Sequence, residues 1–489
     1  MNSKPYLSKS RIMLARQCPK LLYLDRNHPE LANISSSTEA AFAIGHAVGD
    51  IAQQIYGNDD AVLIQHEEGL GSALRQTEKL MKAGPSVPIF EATFQYDDVL
   101  VRVDVLLPDG NAWRVVEVKA STSVKEDHHI DCAFQAWVIH GLGYPISTVS
   151  LAHVNNRFFY EGDGNYVGLV EEKDLTESVA SLESDVPSLV EQAREALRGG
   201  EPSVDVGGHC SKPYDCAFIT HCWPTDVEYP VTGLGGGRTK LGMLVGKGFR
   251  DIRDVPEERL TGASQQRIHR VTCDGNAEVL AAGVEFVTSL AYPRYYLDFE
   301  TIAPAVPIWA GTSPYAAVPI QWSCHIESAP GDVRHVEFLD LSGEPPMRRL
   351  AAAMVECLES DGPILMYTRY EERVIRSLID LFPDLARSLQ LLVDRLVDLH
   401  PVVKQNYYHP KMLGSWSIKA VLPTIAPHMN YSNLEGINQG VAASEGFLEA
   451  IDLSTPVERR AELEEQLLRY CEFDTLAMME IVWFFERHR

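Results

Sequence analysis

Tyr295 to Pro304, YYLDFETIAP, runs an aromatic and apolar stretch into two carboxylates, Asp298 and Glu300, one residue apart. On a β-strand side chains repeat every second residue, so both acids project from one face. Like charges that close repel unless a cation offsets them. A hard divalent ion, Mg²⁺ or Mn²⁺, favours carboxylate oxygens and sits beside phosphates. The plainer alternative is a strand ending in solvated acids. Three further groups carry comparable chemistry. In VDVLLPDGNAWRVVEVKAS, Glu117 and Lys119 lie two apart on a strand, and Asp104 sits near the end of the partner strand. Two acids and a lysine suit phosphodiester hydrolysis: carboxylates hold a metal that activates water, and the lysine offsets charge developing on the phosphate. A surface ion pair between Glu117 and Lys119 is the alternative. Glu371 in GPILMYTRYEERVIRSL stands at a strand-helix junction, and Tyr470 and Asp474 in LLRYCEFDTLAMMEIVWFF are four apart on one helix face. Finally, Cys18 in RQCPK and Cys210, Cys216 and Cys222 in HCSKPYDCAFITHCW supply four thiolates for one centre, an iron-sulfur cluster or tetrahedral zinc. Their even five-residue gaps, unlike the Cys-x2-Cys of zinc ribbons, favour iron-sulfur.

The elements that must position these residues are legible in outline. VLVRVDVLL and WRVVEVKA flank PDGNA, a hairpin signal, and HHIDCAFQAWVIHGLG after them reads as a helix. LSKSRIMLARQCPKLLYLD has helical spacing after Ser8, an N-cap residue type, and AAFAIGHAVGDIAQQIYG reads as a second helix; both are expected to be largely buried. Helical pattern returns from Leu175 to Arg198, and GGEPSVDVGGHC breaks it. Thr225 to Leu290 reads as a mainly helical connector, whose LGMLVGKGFRDIRDVPEERL is similar to a helix-hairpin-helix. That implies either turn amides against a DNA backbone or a packing spacer. GLGGGRTK lacks the Gly-Lys-Ser/Thr ending and the preceding strand of a phosphate loop, and no ATP motor motif occurs elsewhere.

At 489 residues, two or three domains are expected. The net charge of -25 argues against a protein that coats nucleic acid through an overall basic surface, but leaves room for a local basic groove. MNSKPYLSKSRIMLARQCPK carries charges throughout, and no long apolar segment follows, so neither a signal peptide nor a membrane span is expected and the reading is cytoplasmic. Of nine cysteines, Cys132, Cys273, Cys324, Cys357 and Cys471 stand singly and read as packing residues.

The hairpin sequence resembles the PD-(D/E)XK nuclease core, with Gln135 in AFQAWVI at a suitable distance and His46 in GHAVG. RecB-family nucleases place such a histidine on an early helix as a metal ligand and carry a glutamine motif after the lysine. The tyrosine usual after that glutamine is missing here, with Trp137 nearby. One early and three late cysteines are similar to the pattern by which iron-sulfur members of that family clasp a 4Fe-4S cluster, which would staple the ends of the module together. Residues 291–489 resemble the DEDD exonucleases, whose RNase H-like sheet gathers acids from three motifs, and Tyr-x3-Asp matches the tyrosine-bearing branch. The resemblance implies that Asp298 bridges two metals, Glu300 and Asp474 complete them, Tyr470 orients the attacking water, and Glu371 stands where the family usually has Asp. The expected fold is α/β: residues 1–228 a PD-(D/E)XK restriction-endonuclease-like domain, 229–290 a helical connector, and 291–489 an RNase H-like domain. The expected activity is a metal-dependent nuclease acting on DNA single strands or ends in repair, recombination or anti-phage defence, with Mg²⁺ or Mn²⁺ and a 4Fe-4S cluster or zinc. The alternatives are a ribonuclease of the same folds, a non-catalytic nucleic-acid adaptor, and a zinc-stapled scaffold recruiting a helicase.

Overall fold

In the computed structural model the described residues are 7–358 and 361–489, without the side chain of residue 37. The first six residues, part of the charged N-terminal reading, lie outside them. The chain is mixed α/β and forms two compact units, residues 1–223 with 304–316 and residues 224–303 with 317–489. Residues 229–290, expected as a separate connector, thus cluster with the second unit. The reason is local: Leu280 N donates to Asn406 O at 2.9 Å, Arg294 donates to Val287 O at 3.1 Å, and Gly414 approaches Gly233 O so closely that a Cβ would sit 1.8 Å from it.

The first unit is built on a sheet of β1 (Leu7–Ser8), β2 (Val62–Leu63), β3 (Ile89–Tyr96), β4 (Val99–Asp109), β5 (Ala112–Lys119), β6 (Ile146–Val154) and β7 (Val170–Asp174). Its order is β2-β3-β4-β5-β6-β7, with β1 against β4. The expected hairpin is β4–β5, antiparallel from Asp109↔Ala112 to Val105↔Val116. The helix Glu126–Gly141 then crosses over so that β6 joins β5 in parallel, as a parallel neighbour requires. Alternation along β5 sends Val115 into the core beneath that helix and Val116 into a smaller cluster with Phe90, Val105 and Ala152 on the other face.

The expected first helical run is two helices, Lys9–Gln17 and Pro19–Asn27. Pro19 disfavours helical backbone at the residue before it and lacks the N–H to continue the ladder, so Cys18 is extended, φ -163°. Ser8 does cap the first helix, accepting from Arg11 N. The second expected helix, Ser36–Tyr56, departs from the expectation of burial: Val48, Ile51 and Ala52 are buried, whereas Phe42 is 64% exposed. Its first half borders a cleft rather than the core.

The second unit carries the sheet β11-β10-β9-β12-β13. Its strands are β9 (Arg294–Ile302), β10 (Val318–Ala329), β11 (Asp332–Leu339), β12 (Ile364–Met366) and β13 (Leu396–Asp398). The first three pair antiparallel, and β12 and β13 run parallel to β9. Two short strands, β8 (Glu278–Val279) and β14 (Tyr407–Tyr408), pair apart from it and join the 224–290 segment to the rest. The last helix, Val457–Arg487, packs across β9 and β10. The helix-hairpin-helix reading finds helices at Arg238–Gly246 and Ala263–Asp274, but FRDIRDVPEERL between them forms only short 3-10 turns. No described helix is long and apolar enough to cross a membrane.

Candidate active sites

In the first unit, β4 and β5 stop pairing after Val105↔Val116, and the side chain of Asp104 takes over: its Oδ2 accepts from Val118 N at 2.7 Å. Glu117, only 1% exposed, faces the helix Glu126–Gly141, where Gln135 Nε2 donates to its Oε2. Its Oε1 is shared by Lys119 and by Lys9 at 3.0 Å, and both lysines also reach Asp131, at 2.7 and 2.9 Å. Burial alone would raise the Glu117 carboxyl, yet Lys119 and Lys9 hold it well below the usual range. At Asp104 burial, followed by repulsion from Glu117, outweighs the same two lysines and the Val118 N–H and pushes the carboxyl up to about 8. Both acids border a cleft of about 610 Å³ with Glu91, Lys119 and His46. His46 is exposed, on the helix Ser36–Tyr56.

Lys9, Asp131 and Glu91 escape the sequence reading. Asp131 had a usable signal, four residues before Gln135 and so on the same helix face. Lys9 had none, being 108 residues from Glu117. Glu91 has φ +58°, an uncommon backbone for a residue with a Cβ, and falls between the pairs Phe90↔Val105 and Ala92↔Val103, opposite Asp104.

The four cysteines expected to act together do converge. Cys18, Cys210, Cys216 and Cys222 line one small cavity with Leu21, Leu24 and Phe218. Burial raises the Cys18, Cys216 and Cys222 thiols, Cys216 to about 11, with mutual repulsion contributing. N–H groups already point at two sulfurs, Phe218 N at Cys216 Sγ (3.4 Å) and Gly207 N at Cys210 Sγ (3.5 Å), an arrangement that favours thiolate. The donor set and its largely apolar lining fit a soft metal centre. Among the cysteines read as packing, Cys132, Cys324 and Cys471 are buried, but Cys273 is exposed.

In the second unit, Asp298 and Glu300 do project from one face of β9, toward the last helix. A register shift in β10 between Pro319 and Gln321 lies beside Glu300, the kind of irregularity that re-aims a side chain. That helix brings Asp474 (8% exposed) and Tyr470 (4%). Glu371, 4% exposed, arrives in the first turn of the helix Tyr370–Leu381, within hydrogen-bonding reach of Asp298. Thr368 just before has φ +146°, and Tyr370 OH bonds Thr301, anchoring the start of the helix to β9. Glu372, the next residue along the helix, turns away from the cluster and pairs with Arg376 at 2.9 Å. Asp398, the last residue of β13, caps the helix Leu399–Asn406 by accepting from His400 N, although its charge is felt at Glu371.

Three buried acids and the half-buried Asp298 in one place carry an electrostatic cost. Burial first, then mutual repulsion, holds Asp298 and Glu300 well above the usual carboxylate range. Burial lifts Glu371 to about 7 and Asp474 to about 6. Glu371 Oε2 is buried without a hydrogen-bond partner. Clustered hard oxygens, one of them orphaned, fit divalent cations. Two contributors escaped the sequence reading of this site: Tyr431 donates to Asp474 Oδ1, and Cys471, read as packing, places its Sγ 3.9 Å from Asp298 Oδ2. Lys419, a basic residue able to contact phosphate, lies 5.2 Å from the Tyr470 ring centroid and offsets charge at Glu300 and Asp474.

Comparison with known proteins adds little that bears on chemistry. No curated protein matches the chain. A solved structure titled "Crystal structure of SSO0001" is similar at 13% identity over 46% of this chain and 90% of its own, with a TM-score of 0.23. Residues 295–417, which hold Asp298, Glu300 and Glu371, match the family model described as Domain of unknown function (DUF2779).

Proposed function

We propose that this chain is a metal-dependent nuclease with two active sites, hydrolysing phosphodiester bonds of single-stranded DNA or DNA ends. In this reading the second unit is an RNase H-like exonuclease of the DEDD type and the first a PD-(D/E)XK nuclease stapled by a 4Fe-4S cluster. The observation that carries it is the gathering of the buried Glu300, Glu371 and Asp474 and the half-buried Asp298 beside Tyr470, contributed by a strand and two helices far apart in sequence. The strand order, 3-2-1-4-5 in the unit's own sheet, supports the fold assignment. Tyr431 and Lys419 offset only part of the cost of such a cluster; protonation or bound cations would offset the rest, and a fold that retains it has a use for it.

Asp298, Glu300, Glu371 and Asp474 would hold Mg²⁺ or Mn²⁺, which would supply charge neutralisation at the scissile phosphate and a more acidic attacking water. The chain's own residues do the rest. Tyr470, its phenol kept protonated by burial and by Asp474, donates a hydrogen bond that orients the water. Lys419 balances part of the negative charge that phosphate brings. In the first unit Asp104, Glu117 and His46 would hold the metal. Lys119, held protonated by Glu117 and Asp131 against the opposing effect of burial, faces the developing charge on phosphate.

The test is cleavage of end-labelled single-stranded DNA in competition with RNA of the same sequence, with Mg²⁺, Mn²⁺ or chelator, for wild type and Asp298→Ala. Metal-dependent loss of DNA that Asp298→Ala diminishes supports the proposal. Preferential loss of RNA would make the chain a ribonuclease, and binding without cleavage under every metal would make it an adaptor.

A further inference from the structure

β10 presents an unusual face to the last helix. Gln321, Ser323, His325 and Glu327, alternate residues of the strand, are all 5% exposed or less, where a half-buried strand ordinarily places apolar side chains. Gln321 Nε2 donates to Leu467 O at 3.0 Å, and Glu327 accepts from Tyr296 at 3.0 Å and Trp483 at 2.9 Å. His325 is different. It lies directly opposite His335 of β11, with ring centroids 4.6 Å apart, and Glu472 of the last helix comes within 3.8 Å of His335 Nδ1. One ligand atom from each of His325, His335 and Glu472 lies within 4.8 Å of the other two.

Each ring is also held from behind by a hydroxyl. His325 Nδ1 meets Thr475 Oγ1 at 2.8 Å, His335 Nε2 meets Ser323 Oγ at 2.8 Å, and those two hydroxyls bond each other at 3.0 Å. One nitrogen of each imidazole is thereby fixed, leaving Nε2 of His325 and Nδ1 of His335, the pattern by which metal-ligating histidines are oriented. His335 and Glu472 are partly open to solvent, their side chains 22% and 46% exposed, which gives a cation a way in.

We propose that His325, His335 and Glu472 form a site for a single transition-metal dication, zinc by ligand type, with a fourth position open to water. Two imidazoles and a carboxylate suit zinc, whereas Mg²⁺ prefers an all-oxygen shell and would be left to the acids around Asp298. Bonds of about 2.0–2.1 Å to a tetrahedral ion require the ligand atoms to close to roughly 3.4 Å of one another. The long, half-exposed Glu472 side chain supplies its share of that movement, and small rotations of the two rings supply the remainder. The occupied site would tie the β10–β11 hairpin to the helix turn that carries Asp474, two residues from Glu472. The site stands whether or not the chain cuts nucleic acid.

The experiment is a Zn²⁺ titration of the full chain, followed by calorimetry and by thermal unfolding, in excess Mg²⁺ so that the acid cluster is filled. Wild type is compared with His335→Gln and Glu472→Gln. The expected result is one zinc equivalent bound by wild type beyond the four-cysteine centre, a zinc-dependent rise in Tm, and tenfold or greater weakening in both variants. Equal zinc stoichiometry and affinity in all three proteins would overturn the site, as would no zinc taken up beyond the cysteines. Glu472→Gln changes an exposed helical position, so the comparison holds even if His335→Gln folds poorly.

Discussion

Removing one negative charge from the acid cluster should stabilise the metal-free protein. Asp474 is the clearest case, because burial lifts its carboxyl to about 6 against about 3.9 in an unfolded chain. The folded state therefore holds a proton that the unfolded state has released between those two values. Stability falls through that window as pH rises, by about 1.4 kcal/mol per pH unit. By pH 8 the accumulated cost is about 3 kcal/mol, and at pH 5 about half of that. Asp474→Asn removes it while keeping an amide oxygen to accept from Tyr431 OH. The variant should thus gain about 3 kcal/mol over wild type in urea unfolding at pH 8 without divalent cation, and clearly less at pH 5. Because Asp474 also repels Asp298 and Glu300, their relief adds to that gain. Millimolar Mn²⁺ should narrow the difference by stabilising wild type more than the variant. A variant no more stable than wild type at pH 8, or equally more stable at both pH values, would refute the electrostatic reasoning.

Further predictions concern the other site and the packing. Lys9→Met should destabilise the first unit by about 3 kcal/mol, since it leaves Glu117 and Asp131 short of a buried partner; a chemical-denaturation change below about 1 kcal/mol would contradict the bridging role. Cys216→Ser should abolish bound iron and sulfide, or zinc, in metal analysis of anaerobically purified protein and lower the Tm of the first unit. Gly414→Ala should cost about 3 kcal/mol or more, because its φ of +74° and the nearby Gly233 carbonyl leave no room for a Cβ; unfolding curves of the two proteins would show it, and superimposable curves would mean that the 224–290 segment is not docked as described.

How much of this was legible in the sequence follows physical lines. Strand alternation put Asp298 with Glu300, and Glu117 with Lys119; helix periodicity put Tyr470 with Asp474. Those are local rules, and the structure obeys them. Contacts across long separations had no local signal: Lys9 on Glu117, Tyr431 on Asp474, and Lys419 beside Tyr470 depend on how elements pack. His325 and His335 were invisible for a related reason, since only the β10–β11 register pairs them. The expectation that the helix Ser36–Tyr56 is buried failed because apolar content was read as core, while its first half borders the Asp104 cleft. That the 224–290 segment packs with the second unit had no signal either, because composition marks glycine-rich breaks and says nothing of docking.

The central claim, two working nuclease sites on one chain, is tested most directly by a matrix of four proteins: wild type, Lys119→Ala, Asp298→Ala and the double variant. Each is purified anaerobically and incubated with end-labelled single-stranded DNA and Mg²⁺ or Mn²⁺. Each single variant should lose a distinct part of the cleavage and the double variant all of it, a loss of at least about 100-fold relative to wild type. Cleavage undiminished in the double variant, or no metal-dependent cleavage by the wild type, would contradict it.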